Sequence, residues 1–272
     1  MAEISARVHV LLARDTPMGL VIRRGPSKSV ATILWNRDTD DFQVGQWLKG
    51  RIYERRSDLS PDGRYFIYFA MSGKWSTECE GSWTAVSRSP YLKAIAMFPK
   101  GDCWNGGGLW IDRNAYWLNG GGSVLLDTAE VYRVESKPFG GVGSECLSVY
   151  YPRLIRDGWK LTDSLGYSEA GRVDVFEKQF DRDWVLCKIA HAQTGSLEGK
   201  GCYWDEHRIV NTNLGIQLDY PDWEWAEIDR QRLVWATGGK LHSGIMGSRG
   251  LVCETELYDF NPVKFRPIKA PY

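Results

Sequence analysis

Short runs of β-forming residues, each cut off by polar or glycine-rich turns, recur along the whole chain. "RVHVLL" (Arg7–Leu12) alternates Val8 and Val10 with Arg7 and His9, the two-residue period of a half-buried strand. "DLSPDGRYFIYFA" (Asp58–Ala70) places a Pro-Asp-Gly turn directly before Tyr65–Phe69, an unbroken apolar run that suits an interior strand covered on both faces. "ATILWN", "FQVGQWL", "WTAVSRS", "GLWID", "AYWLN", "CLSVYY", "RVDVFEK", "WVLCKIA", "RLVWA" and "LVCETELYDF" continue the pattern. No stretch reads as a convincing helix. "SPYLKAIAMF" (Ser89–Phe98) comes nearest, and it fits a strand after a proline turn equally well. About twenty short strands at a spacing of roughly 8–14 residues predict an all-β fold, as a sandwich, barrel or propeller.

An internal similarity favours the last of these. Laid without gaps over "CYWDEHRIVNTNL" (Cys202–Leu214), "GLWIDRNAYWLNG" (Gly108–Gly120) puts Trp110 on Trp204 and Asn119 on Asn213, 94 positions apart. Upstream the same spacing puts Ile95 on Ile189, Ala96 on Ala190 and Gly101 on Gly195. With one residue of slippage, "LSPDG" (Leu59–Gly63) meets "LIRDG" (Leu154–Gly158). Self-similarity at a fixed period marks repeat architectures, and this period divides into two units of about 47 residues, near the length of a propeller blade.

"TILWNRDTDDFQVGQWL…DLSPDGRYFIYFA" resembles a WD-repeat-type propeller blade. Trp35-Asn36 stands where that family has Trp-Asp, and Ser60-Pro61-Asp62-Gly63 matches the turn that opens the next inner strands. "VDVFEKQFDRDWVLCKIAH" (Val173–His191) looks like a further hairpin of that kind, ending Ala-His where the family often has Gly-His. The expected fold is a β-propeller of five or six irregular four-stranded blades, in one domain over residues 1–272. Residues 1–49 form an N-terminal or closing blade, 50–143 a first double-blade repeat, and 144–219 a second. Residues 220–272 supply a closing blade and the tail "NPVKFRPIKAPY", which either packs along an edge or docks elsewhere.

Composition narrows the function. Lys plus Arg and Asp plus Glu are 34 each, and a zero balance argues against a nucleic-acid binder that works by neutralising phosphates. No signal peptide and no membrane-spanning apolar stretch is visible. The six cysteines, without close pairs, therefore read as reduced thiols of a cytoplasmic protein. Thirteen tryptophans need burial sites or stacking partners.

Four residues have spacings close to those of a zinc site: Cys187, His191, Cys202 and His207. The aligned positions of the earlier repeat are Lys93, Met97, Gly108 and Arg113, so packing is the favoured reading, and neither metal nor cofactor is expected. Acidic residues gather at Asp205-Glu206 and at Asp222, Glu224, Glu227 and Asp229. Two carboxylates facing a cleft would suit glycoside hydrolysis, but exposed turn residues have the same pattern. "FGGVGSE" (Phe139–Glu145) lacks the strand-turn-helix context of a phosphate loop, and no nucleophile elbow occurs.

The candidate binding residues are aromatic or cationic: Trp75, Trp104 and Asn105 in polar loops, Trp223 and Trp225 sharing a strand face, and the pair Arg23 and Arg24. These predict a non-catalytic platform whose loops bind another protein. The alternative is a carbohydrate-binding propeller that takes a glycan, and the third reading is a metal-dependent or carboxylate hydrolase.

Overall fold

The computed structural model describes residues 4–26, 28–136, 145–168, 171–192 and 201–272. Among them are twenty strands and one helix, the strands gathered in five separate sheets. The first sheet runs in chain order through β1 (Arg7–Leu12), β2 (Met18–Arg24), β3 (Ser29–Asn36) and β4 (Asp41–Lys49). The second repeats that meander with β5 (Arg51–Leu59), β6 (Tyr65–Met71), β7 (Ser82–Arg88) and β8 (Ala94–Pro99). The third is smaller: β9 (Gly108–Trp110) and β10 (Ala115–Leu118) are antiparallel, and β11 (Tyr132–Val134) joins β10 in parallel. After helix α1 (Leu147–Arg156) comes a five-stranded sheet of β12 (Lys160–Ser168), β13 (Gly171–Gln179), β14 (Trp184–Ala192), β15 (Tyr203–Asn211) and β16 (Ile216–Tyr220). The fifth contains β17 (Trp225–Asp229), β18 (Arg232–Thr237), β19 (Lys240–Met246) and β20 (Leu251–Asp259). Sheets of about four strands in sequential order are blade-like, as the strand pattern predicts.

Residues 1–4, 9–153 and 263–272 cluster as one unit, and 5–8 with 154–262 as another. In the first unit, alternation along β6 explains its uninterrupted burial. Phe66, Tyr68 and Ala70 pack with Leu20, Ile22 and Val30 of the first sheet. Tyr65 and Ile67 point the other way, to Trp110, Tyr116 and Leu118 of the third. The far side of that third sheet packs through Leu109 and Trp117 on Val149 of α1. A strand between two sheets has no solvent face, so every position in it is apolar.

The Ser60–Gly63 turn is locked by its own side chains. Tyr65 N donates to Ser60 Oγ (2.9 Å), which in turn donates to Asp62 Oδ1 (2.6 Å). Gly63 has φ of 76°, and a Cβ there would meet Met18 Cβ at 2.8 Å, so glycine is required twice over. Trp35 is fully buried, stacks on Phe42 and donates from Nε1 to Asp40 Oδ1 (3.0 Å). The tail 263–272 lies in extended form on the first unit. Gln46 Nε2 donates to Ile268 O (2.7 Å), and Tyr272 OH donates to Lys93 O (2.6 Å).

Within the second unit, ring stacking runs from Tyr220 to Trp223 to Trp235 to His242, at centroid distances of 3.9, 4.8 and 5.6 Å. Beside it, the buried Lys188 Nζ lies 2.8 Å from His207 Nε2, while His207 Nδ1 lies 2.9 Å from Trp223 O. Burial, reinforced by the Lys188 ammonium, pushes the His207 imidazole down to about 3. The ring is therefore neutral at pH 7, donating from Nδ1 to the carbonyl and accepting at Nε2 from the lysine.

Three expectations are corrected. "CLSVYY" belongs mostly to α1 rather than to a strand. Leu147, Tyr150, Tyr151 and Leu154 recur at helical spacing and are all buried, which outweighs the β preference of Val149 and the tyrosines. In β1, Val8, His9, Val10 and Leu11 are all buried, so the strand is covered on both faces rather than half exposed. His9 is taken inside because its Nε2 meets Arg153 Nη2 at 3.2 Å.

The 94-residue spacing is likewise not reproduced strand for strand. Trp110 ends β9 before a turn at Asp112, whereas Trp204 sits inside the unbroken β15. β8 is the last strand of its sheet, but β14 is central in its own. β15 runs unbroken through the buried His207, which contacts Lys188 and Trp223 O. Gly195, Gly140, Gly141 and Gly143 lie outside the described residues.

Candidate functional site

Three loops of the first unit adjoin at one end of the second and third sheets. The loop after β6 is closed by Ser72 N and Gly73 N, both donating to Gly81 O, and stiffened by Thr77 Oγ1 donating to Lys74 O (2.8 Å). Its Trp75 indole lies against Gly81, where a Cβ would come within 2.4 Å of Trp75 Cε3. One face of the ring is thus packed while the side chain stays 54% exposed.

The loop from β8 to β9 is held from beneath. Arg56, buried in β5, donates through Nη1 to Cys103 O (2.6 Å) and Asn105 O (3.1 Å), with its guanidinium over the Tyr53 and Phe69 rings. Asp102 Oδ1 accepts from Trp104 N (2.9 Å), and Ser82 Oγ donates to Asp102 O (2.6 Å). Gly107 N donates to Thr84 Oγ1 (2.8 Å), and Gly107 leaves no room for a side chain above Arg56 O. On this clamped backbone Trp104 is 63% exposed, and Asn105 is exposed beside it.

The third loop returns along β8. Met97 N donates to Leu126 O (2.8 Å) and Leu125 N to Met97 O (3.0 Å), which leaves Val124, Leu125 and Leu126 between 42% and 57% exposed. The loops touch at their bases. Cβ positions built at Gly101 and Gly120 lie 2.9 Å from Glu80 Oε2 and from Asn105 Cβ, and Cys79 Sγ is 3.4 Å from Met97 Sδ. Two indoles and three aliphatic side chains therefore project from one group of hydrogen-bonded loops.

The structure sorts the remaining sequence candidates. Arg23 is buried, donating to Gly25 O with its guanidinium over Trp47, and Arg24 pairs with Glu54 (3.2 Å). Trp223 and Trp225 are buried too, so neither offers a ring at the surface. The four residues with zinc-like spacing are not brought together. Lys188 is paired with His207 across β14 and β15 and Cys187 with Arg208, so Cys187 and His191 face one side of the sheet and His207 the other. Cys202 is exposed before β15, and burial pushes the Cys187 thiol up to about 11. Among the described residues no three His, Cys, Asp or Glu side chains gather as metal ligands do.

Three of the acidic residues hold structural contacts. Glu227 accepts from Trp159 Nε1 (2.9 Å) and Lys178 Nζ (2.8 Å), Asp229 pairs with Arg232 (3.0 Å), and Glu224 accepts from Val8 N (2.8 Å). Asp205 is buried, Glu206 lies 3.8 Å from His191, and Asp222 is exposed in a turn.

Trp75, Trp104 and Asn105 are exposed in loops, where the sequence places them, and Val124–Leu126 lies beside them without having been singled out. Val124–Leu126 is a β-forming run, yet only Leu126 makes a bridge, and the run stays at the surface. The flanking Gly120, Gly121 and Gly122 were the available signal that these residues sit in a loop.

No protein-family model matches the chain, and no curated protein matches it. Among solved structures it is similar to hydrazine synthase of Kuenenia stuttgartiensis, at 10% identity over 90% of this chain and 78% of that one, with a TM-score of 0.32. A likeness that distant carries no conclusion about this chain.

Proposed function

We propose that this chain is an interaction module that binds another protein through Trp75, Trp104 and Val124–Leu126. The observation that carries this reading is the exposure of two indoles on loops whose backbones are already held. Tryptophan is among the residues most enriched at binding hot spots, and a pinned loop loses little entropy when a partner arrives. Exposed apolar side chains gathered at one place mark interaction sites on otherwise ordinary surfaces.

A protein suits the face better than a glycan does. Exposed valine and leucine side chains offer nothing to sugar hydroxyls but match the apolar centre of a protein interface. The blade-like sheets contribute rigidity beneath the loops, in keeping with the propeller-type turn at Ser60–Gly63.

A photo-crosslinking residue placed at position 104, and at the exposed position 254 as control, tests the reading in cells. One discrete protein adduct specific to position 104, diminished by Trp75→Ala, is expected. Equal adducts at both positions, or a glycan-array signal lost on Trp104→Ala without any protein adduct, would overturn it. Sedimentation of the purified chain identifies a second copy as the partner if a dimer dissociates on the same substitutions.

A further inference from the structure

A second feature of the first unit is separate from the tryptophan face. A cavity of about 270 Å³ is lined by Arg64, Tyr65, Arg88, Ser89, Tyr91 and Tyr272, together with Pro271. The charge within it is uneven. Arg88 is matched by Glu130, donating from Nε (3.0 Å) and Nη2 (2.6 Å) to the two carboxylate oxygens. Arg64 is exposed, and its guanidinium rests 5.4 Å from the Tyr65 ring centroid. Ser89 Oγ is buried without a hydrogen-bond partner. Two aromatic walls, Tyr91 and Tyr272, meet edge to face at 6.1 Å.

We propose that this cavity is a binding site for a small aromatic monocarboxylate. The carboxylate takes the fork of Arg64, and the planar body lies against the tyrosine rings. A guanidinium and a carboxylate match in bidentate geometry. Glu130 pairs with Arg88 and its charge also acts on Arg64, so the three leave one net positive charge, which suits a single negative charge better than a dianion such as a phosphate monoester. The size of the cavity, at the small end for ligand pockets, limits the body to about one ring system.

The tail supplies part of this wall. Tyr272 OH accepts from Arg88 N (3.1 Å) and donates to Lys93 O, and Lys93 Nζ donates to Tyr272 O. A bound ligand therefore holds residues 268–272 in place, and occupancy is reported by the tail as well as by the ligand.

Benzoate is the probe, with benzyl alcohol as its neutral counterpart, cyclohexanecarboxylate as the non-planar one and phenyl phosphate as the dianion. Saturable benzoate binding by ligand-observed NMR is expected, together with slower amide exchange over 268–272. Arg64→Gln, a change at an exposed position, should weaken binding at least about tenfold, as loss of a charged hydrogen bond does. The other three probes should bind less well than benzoate. No saturable binding, an unchanged affinity in Arg64→Gln, or equal binding of benzyl alcohol would overturn the assignment. A preference for phenyl phosphate would overturn the charge argument specifically.

Discussion

At the residue scale, single contacts decide whether the exposed indoles are ordered. Gly81 has φ of 76° and lies flat under Trp75. Gly81→Ala should cost about 1 kcal/mol from backbone strain and push the ring off its seat. The check is a shifted Trp75 indole N–H resonance with a lowered melting temperature. Arg56 clamps the Trp104 loop through two carbonyls, a geometry that lysine does not reproduce. Arg56→Lys should speed amide exchange over 101–107 by about tenfold for each 1.4 kcal/mol lost, without unfolding the sheets.

His207 adds a pH dependence. Its folded value, about 3, lies below the usual value of 6.5, because burial and Lys188 oppose the charge. Between these limits the unfolded chain binds the extra proton. Stability from this group is complete above about pH 6.5 and falls towards pH 3 by about 1.4 kcal/mol per pH unit. His207→Gln should lower stability at pH 7 and flatten the slope of urea-unfolding free energy over that window.

At the element scale, the strands were legible wherever their two faces differ or where both are buried. Tyr65–Phe69 is readable as an interior strand from apolar continuity alone, and the Ser-Pro-Asp-Gly turn before it is readable from chemistry. Asp62→Ala removes an acceptor shared by Ser60 Oγ and Arg64 N. It should cost about 1–2 kcal/mol in denaturant unfolding. The helix was missed because Val149, Tyr150 and Tyr151 favour strands and Pro152 argues against a helix interior. Its signal was periodicity, Leu147, Tyr150, Tyr151 and Leu154, which a reading by local propensity overlooks. The matched tryptophans misled in another way. Trp110 and Trp204 align in sequence, but the first is followed by a turn closed on Ala115 O and the second continues along β15.

At the scale of the whole molecule, all-β character and division into several small sheets were readable from strand spacing. Burial of the candidate pair Trp223 and Trp225 was not. Trp223 and Trp225 share their residue type with Trp75 and Trp104, and only the packing of one sheet or ring on another separates the two pairs. Val124–Leu126 carries the opposite lesson, because apolar residues predict burial only when a partner surface is available, and here the third loop lies on the edge of its sheet. The exposed set belongs to the first unit and rests on its second and third sheets, which pack through Tyr65, Trp110 and Tyr116. Trp110→Ala should therefore destabilise that unit by about 3–5 kcal/mol, read as a lowered unfolding midpoint, and weaken binding only through loss of folded protein.

The central claim is that Trp75 and Trp104 supply the binding energy for a protein partner. It is tested most directly by titrating the partner crosslinked at position 104 against wild-type chain and the Trp75→Ala/Trp104→Ala variant. A loss of affinity of at least about a hundredfold, with an unchanged melting temperature, is the expected result. Affinities within twofold of each other would contradict it.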